Sequence, residues 1–483
     1  MKDLLPTARD VKLIAFKAQR RKNLLPEHAV LTSALNNEIT NLREALFAEK
    51  DEEERKTLNA HLHDALVQKR NHEEEGFESL ALELRNYIVD QPDQLRLYHR
   101  TRSEDGRLLM RFESRRRITT LFDRYVALLL TRTFQVKLHG RDQLIRSFLN
   151  TLRITVRGAK STAHRSVILL DITDFFGSID HEVLLKKLRS HAGVPRFALR
   201  HVESILDAYS RITGKRVGLP QGVPSSSVLS EIYLENLDHR LKRHSSVVFY
   251  GRYVDDIIVV CQGHDAAKVE LLVDHGLNRI GLTKSGSKSN THYYPAGRPS
   301  GFDYLGYGFE FDNNTGQLSS VDLSKKKLER YKSGFKNLAE HFAKVTCGAD
   351  RRGIDLLLES VSYLFEPKAT VADGDSLRIV TGLAYSSRFI HQEELKAPRL
   401  DGFLRAASAQ LQKGLDWVAQ CGPPSHPKCY CCQRDVYKFR ELSQLNQVQL
   451  TQKTVLGSNA IPHSDEKTRR EVARLLWNLH VAK

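Results

Sequence analysis

Long apolar runs are missing from this chain of 483 residues. Stretches such as Val126 to Leu130 fall far short of the roughly 18–20 residues a bilayer span requires, and the charged start at Lys2 and Asp3 leads into no signal-peptide core. No membrane partner and a cytoplasmic location are therefore expected. Cysteine is scarce as well: of six, four crowd into Cys421, Cys429, Cys431 and Cys432. That excludes the dispersed, even framework of a disulfide-stapled secreted domain and points to a reducing compartment. Proline is absent from residues 31 to 90, and neither internal repeats nor low-complexity tracts interrupt the chain.

What is present suffices for a large core: 41% of residues are hydrophobic and 27% charged, which excludes wholesale disorder. The length excludes a single minimal fold. Basic residues outnumber acidic ones by 74 to 58, a net charge of +16. The excess is uneven, because residues 100 to 165 hold 16 Lys and Arg against five Asp and Glu. A concentration of that kind suits a surface that tracks phosphates; a solvated basic face serving solubility is the alternative.

Residues 31 to 90 carry Leu35, Ile39, Leu42 and Leu46 at steps of four and three, then Leu58, Leu62 and Leu66 beyond the acidic run Asp51 to Glu54. The spacing predicts two antiparallel helices or a short coiled coil, a possible route to an oligomer. From residue 96 the pattern shortens. Asp105-Gly106 before Leu108–Phe112 predicts a hairpin, 121 to 135 an amphipathic helix, and 166 to 312 a mixed segment. Its strands are expected at 167–170, 247–253 and 257–260, its helices near 181–189 and 197–210, and a Gly/Pro/Ser-rich turn at 218–227. A basic helix is predicted over 321 to 345, with helices continuing to about 418.

Asp171 and the pair Asp255-Asp256 each end or begin an apolar β segment. A buried carboxylate has to be paired or bind metal. With the strands read as offering no basic partner, hard oxygen donors of this kind favour Mg²⁺. Phe175-Phe176 follow Asp171; Leu219-Pro220-Gln221-Gly222, Tyr253-Val254-Asp255-Asp256, Lys288 and Leu305-Gly306 come after in a fixed order. In these motifs, spread over about residues 96 to 320, the chain resembles the reverse transcriptase family.

The resemblance implies an α+β right-hand polymerase: an N-terminal helical extension (1–95), fingers and palm (96–320), a helical thumb (321–418) and a small C-terminal region (419–483). It implies an RNA-directed DNA polymerase in which Asp171, Asp255, Asp256 and the Ile172 carbonyl hold two Mg²⁺ ions. Phe176 would be the steric gate selecting deoxynucleotides, with Phe175 in the core because neighbours on an extended segment face opposite ways. Gln221 and Gly222 would contact the nucleotide, and Lys288 the pyrophosphate. Arg107 and Arg111 would grip the triphosphate. Arg116, Arg117, Tyr253, Leu305, Gly306, Lys325 and Lys326 would follow the RNA template and DNA product.

His426, Cys429, Cys431 and Cys432 offer soft donors for Zn²⁺, although Cys-x-Cys-Cys is not the paired spacing of a zinc ribbon. The long helical N-terminus, intact motifs and C-terminal extension without a recognisable nuclease look most like bacterial defence-associated reverse transcriptases, which often use a dedicated non-coding RNA. Retron-like and group II intron-like enzymes, template-independent or protein-primed synthesis, and a non-catalytic RNA-binding scaffold stay open at this point.

Overall fold

A computed structural model describes residues 5–343 apart from 19–25, 50, 91–94, 103–107, 114–115, 138–139, 159–164, 263–264, 295–299 and 313, together with 368–371, 378–381 and part of 383–406. Three helices come first: α1 (Ala8–Ala18), α2 (Pro26–Ala48) and α3 (Glu52–Val89). The α2–α3 pair is the expected helical hairpin. Its corner is set by Asp51, whose carboxylate accepts the backbone N–H groups of Glu53 and Glu54 at 3.0 Å each. The acidic residues 52–54 then suit the positive end of the helix dipole. Leu35 and Ile39 are buried, whereas Leu66 is exposed. The C-terminal half of α3 behaves differently: Phe77, Leu80, Ala81, Leu84, Tyr87 and Ile88 are all buried.

β1 (Leu97–Arg102) and β2 (Leu108–Phe112) form the predicted antiparallel hairpin, and α4 (Arg116–Thr133) and α5 (Arg141–Gly158) follow. The mixed segment runs β3 (Arg165–Leu170), a single helical turn at Phe175–Ser178, α6 (His181–Ser190), α7 (Arg196–Thr213), α8 (Pro224–Lys242), β4 (Val247–Tyr253), β5 (Asp256–Gln262), α9 (Ala266–Asn278) and β6 (Asn290–Tyr294). β7 (Ser300–Tyr304), β8 (Tyr307–Phe311) and β9 (Leu318–Leu323) make a second sheet, ahead of α10 (Lys325–Ala343) and a two-stranded ribbon of β10 (Lys368–Val371) and β11 (Arg378–Thr381).

Three of these elements correct the expectation. Ser225–Ser227 are not turn but the start of α8, because Pro224 at the first helical position needs no N–H partner and Asp123 Oδ2 accepts the Ser225 N–H at 2.8 Å. Val321–Leu323 belong to a strand paired with β8; the helix begins only after Ser324, whose hydroxyl accepts the Lys327 N–H. The segment expected to be wholly helical includes β10 and β11, which pair antiparallel.

The main sheet has the order β4-β5-β3-β6, antiparallel throughout. Alternation along its strands divides two cores. Ile168, Leu170, Ile257, Val259 and Cys261 point to one face and pack with α3, α4 and α6 to α9. Val167, Ile258 and Val260 point to the other and pack with α5 and the β7–β9 sheet. Gly251 lets α5 lie close across β4: a Cβ there would stand 2.6 Å from Leu144 Cδ1. Beyond α10, Asp322 accepts the N–H groups of Arg399 (2.6 Å) and Leu400 (3.1 Å), fastening the helical turn at 398–403 to β9.

Candidate active site

The β3–β5 register pairs Leu170 with Ile257, so the next step along each strand sets Asp171 across from Asp256. By alternation both carboxylates fall on the face that carries Val167, Leu169, Ile258 and Val260. Asp255 sits in the two-residue turn joining Tyr253 to Asp256, which are partners in the β4–β5 ladder. Two strands and one turn thus gather three acids that lie 84 or more residues apart or adjacent in sequence.

The charge balance of the cluster is visible in Asp256, whose pKa is pushed up to about 6 by burial, then by Asp255, then by Asp171. Lys288 and Arg141 pull the other way. Lys288 Nζ lies 3.2 Å from Asp171 Oδ2, and Arg141 stacks over Tyr253 with its guanidinium 5.2 Å from the ring centre. Among the described residues no three acidic, His or Cys side chains close into a finished ligand cage. The donors nonetheless suit a hard divalent cation: oxygen only, at the edge of an apolar sheet, with burial and mutual repulsion together raising the proton affinity of Asp256. Ile172 fits as a further donor. It bridges to Lys284, but the bonds that close the bridge run from Thr173 N–H to Thr283 and from Ser285 N–H to the Asp171 carbonyl, leaving the Ile172 carbonyl out of them.

Basic residues do stand inside the strands, contrary to the sequence reading: Arg165 opens β3 and Arg252 lies in β4 close to the turn. Arg252 in β4 is buried on the opposite face and does not pair with the acids of the site. Its five N–H donors go to Asp238 (Nε 2.9 Å, Nη2 2.6 Å), Glu231 (3.1 and 2.7 Å) and the Val254 carbonyl (3.0 Å). Burial alone would lower its pKa, but Asp238, Tyr250 and Glu231 turn the balance upward. The signal was present in Gly-Arg-Tyr-Val-Asp-Asp; its partners lie on α8 and only the fold brings them near. Val254 holds φ +61°, an uncommon conformation for a β-branched residue, and Arg252 fixes the carbonyl of that strained turn.

Around the acids, Phe175 is buried and Phe176 half-buried, their rings 5.7 Å apart. They lie in a helical turn rather than along an extended segment, so Phe175 is in the core as expected but not for the expected reason. Phe176, Tyr253 and Val254 line a cavity of about 840 Å³ between α5, α8 and β4. The Gln221 carbonyl accepts the Met110 N–H at 2.7 Å, tying this loop to β2. Gly222 has φ +91°, and a Cβ would come within 2.8 Å of the Met110 carbonyl, so only glycine permits the approach. Leu305 (φ +47°) and Gly306 (φ +87°) form the tight turn between β7 and β8.

The outlying basic residues are less gathered. Arg111 lies in β2, half-buried, and Lys325 and Lys326 are exposed at the start of α10. Arg117 is bonded to Glu83 of α3 at 2.5 Å rather than turned to a free surface. Arg107, the Arg116 side chain and the cysteine cluster with His426 lie outside the described residues.

A four-stranded antiparallel sheet backed by helices, with carboxylates at the end of one strand and in the neighbouring hairpin, defines the palm of a right-hand polymerase. The chain carries a reverse transcriptase domain: residues 117–309 match the family model for reverse transcriptase (RNA-dependent DNA polymerase), which makes it an RNA-directed DNA polymerase. Solved structures similar to the chain include telomerase from Candida albicans in complex with a TWJ fragment of telomeric RNA, at TM-score 0.38 and 12% identity over 86% of this chain and 72% of that one. Apo telomerase from Candida Tropicalis is similar at TM-score 0.37 and 12% identity, over 84% and 70%. No curated protein matches the sequence. Among the described residues no helix is long and apolar enough to cross a membrane.

Proposed function

We propose that the chain adds deoxynucleotides to a primer 3′ end on an RNA template, with Asp171, Asp255, Asp256 and the Ile172 carbonyl as the ligands of two Mg²⁺ ions. The observation that carries this is the strand register that sets Asp171 across from Asp256 beside the Asp255 turn. Bound there, Mg²⁺ supplies activation of the 3′-hydroxyl and neutralisation of the leaving pyrophosphate. The chain's own groups do the rest. Phe176 stacks beneath the sugar and excludes a 2′-hydroxyl, and the Gln221–Gly222 loop presents backbone to the nucleotide. Lys288, able to swing from Asp171 because it is exposed, meets the pyrophosphate charge. Arg107 and Arg111 grip the triphosphate, while Arg116, Arg117, Tyr253, Leu305, Gly306, Lys325 and Lys326 follow the duplex; for Arg117 this requires release from Glu83.

The biological setting we infer is bacterial anti-phage defence with a non-coding RNA as template, on the strength of the long helical N-terminus and the C-terminal extension. The catalytic reading is tested by primer extension on an RNA template. Asp171→Ala and the double change Asp255→Ala with Asp256→Ala should abolish synthesis while RNA binding, measured by filter retention, stays within about twofold of the parent. Persistent synthesis in both variants would falsify the metal assignment. Sequencing the nucleic acid that co-purifies with the protein tests the non-coding RNA.

A further inference from the structure

His181, the first residue of α6, is 1% exposed, and both of its ring nitrogens are engaged. Nε2 lies 2.7 Å from the Gly218 carbonyl oxygen, and Nδ1 lies 3.3 Å from the Ser210 hydroxyl on α7. A carbonyl only accepts, so Nε2 carries the proton and Nδ1 receives the Ser210 hydroxyl. Burial, which lowers the pKa of the ring, favours this neutral form. The carbonyl that His181 holds belongs to the peptide group joining Gly218 to Leu219. The N–H of that same peptide group donates to the Phe176 carbonyl at 2.8 Å. One rigid plane is thus pinned at one edge by His181 and at the other by the backbone of Phe176. Its neighbours run alongside: the Gly218 N–H donates to the Ile179 carbonyl at 2.8 Å, and the His181 N–H to the Arg216 carbonyl at 3.2 Å. Gly218 holds φ +94°, and a Cβ there would stand 3.1 Å from the Tyr209 ring. A glycine leaves the plane that follows it free to rotate unless something outside holds it. Phe176 itself lies in the four-residue turn Phe175–Ser178, and a turn this short has few bonds of its own.

We propose that His181 is a positioning residue for sugar selection: by holding the Gly218 carbonyl it fixes the Gly218–Leu219 peptide plane, and that plane fixes the height of Phe176 beneath the incoming sugar. Phe176 is half-buried and lines the cavity of about 840 Å³, so its ring has room to move when its backbone does. A gate that works by a clash with one hydroxyl discriminates only while its position is held closely; oriented groups lose about a hundredfold for a misplacement of roughly 1 Å. Without the imidazole donor, the carbonyl of the buried Gly218 is left unpaired, and the plane turns to find a partner. The Leu219 N–H then leaves Phe176, the ring drops, and a 2′-hydroxyl is admitted.

This inference rests on Phe176 being the steric gate, and the experiment tells the two apart. His181→Asn and His181→Gln are made in the full chain. The asparagine amide stands near the place of Nδ1 and reaches Ser210 but not Gly218, whereas the glutamine amide extends to the place of Nε2 and keeps a donor on the Gly218 carbonyl. Single-nucleotide insertion on an RNA template is measured with a deoxynucleotide and with the matching ribonucleotide, and thermal unfolding is followed for each variant. Phe176→Ala and Leu84→Ala, the latter at a fully buried position in α3, serve as references. In His181→Asn the ratio of kcat/KM for deoxynucleotide over ribonucleotide should fall about tenfold, through faster ribonucleotide insertion. A loosened fold slows both insertions and cannot produce that gain. His181→Gln should restore most of the ratio, and His181→Asn should lower it no further in a Phe176→Ala background. If His181→Asn keeps the parental ratio, or Leu84→Ala lowers it equally, the histidine serves stability alone and the inference is overturned with the gate reading intact. If Phe176→Ala itself keeps the parental ratio, the gate reading fails and the inference falls with it.

Discussion

Asp256 is the residue in which the site's physics is concentrated. An isolated aspartate loses its proton near 3.8, and here the value stands at about 6 because burial and two neighbouring carboxylates oppose the charged form. In the folded protein the proton is therefore held more tightly than in the unfolded chain. Well below pH 3.8 both states are protonated and nothing is lost. As pH rises toward 6 and beyond, the fold carries a growing penalty for the ionised group. Asp256→Asn should consequently stabilise the metal-free protein at pH 7.5 by about 1–2 kcal/mol, after allowance for solvent screening of a group that is only partly buried. At pH 2.5, well below both values, it should change almost nothing. Denaturant titrations at the two pH values check this, and equal effects at both would dismiss the electrostatic account. The same proton competes with a cation, so synthesis at limiting Mg²⁺ should fall as pH drops through about 6. The acids themselves were legible in the sequence, since carboxylates at the ends of apolar strands demand an explanation. Arg252 was not, because its meaning depends on which face its side chain takes. That face is set by its partners Glu231 and Asp238 on α8.

The β4–β5 hairpin shows how an element is held in a conformation its sequence resists. A non-glycine residue at φ +61° costs on the order of 1–3 kcal/mol, yet Val254 adopts it at the point where Asp255 must be presented. The compensation comes from Arg252, which bonds the Val254 carbonyl and is anchored by Glu231 and Asp238 on α8. Replacing Arg252 by Met would strand two largely buried carboxylates, a loss of about 3–5 kcal/mol. It would also release the turn. Arg252→Met should therefore lower the unfolding midpoint and reduce kcat more than the nucleotide KM rises. A triple variant, Arg252→Met with Glu231→Gln and Asp238→Asn, removes the stranded charges; it should regain much of the stability but not the rate. Recovery of both together would show that Arg252 serves stability alone. The hairpin was legible as an element from its strand pattern and turn. The buried arginine clamp beneath it was not, for its partners lie 14 and 21 residues upstream on a helix.

At the scale of the molecule, the N-terminal helices and the polymerase core are less separable than their sequence patterns suggest. Leucine spacing marks α2 and the first half of α3 as a helical hairpin, and there the apolar stripe is only partly covered: Leu35 and Ile39 are buried, whereas Leu66 and, at the tip, Phe47 are exposed. The second half of α3 carries a wider apolar face, and that face is spent on the core. Phe77, Leu84 and Ile88 lie in one continuous cluster with Leu121 and Phe122 of α4 and with Leu170 and Ile257 of the palm sheet. Polar ties reinforce it: Tyr87 and Thr119 share a buried hydroxyl bond at 3.0 Å, and Glu83 holds Arg117. The sequence shows that a face exists but not what covers it, since hydrophobic periodicity names no partner. A core shared in this way predicts joint unfolding. Leu84→Ala removes a fully buried side chain and should cost about 2–5 kcal/mol, shifting a single transition seen both by far-ultraviolet circular dichroism and by loss of primer-extension activity. Phe47→Ala at the tip should move neither. If Leu84→Ala instead splits the transition, with the N-terminal helices melting while polymerisation survives, the extension is a separate unit resting against the palm. Deleting residues 1–95 would then yield an active enzyme rather than an insoluble one.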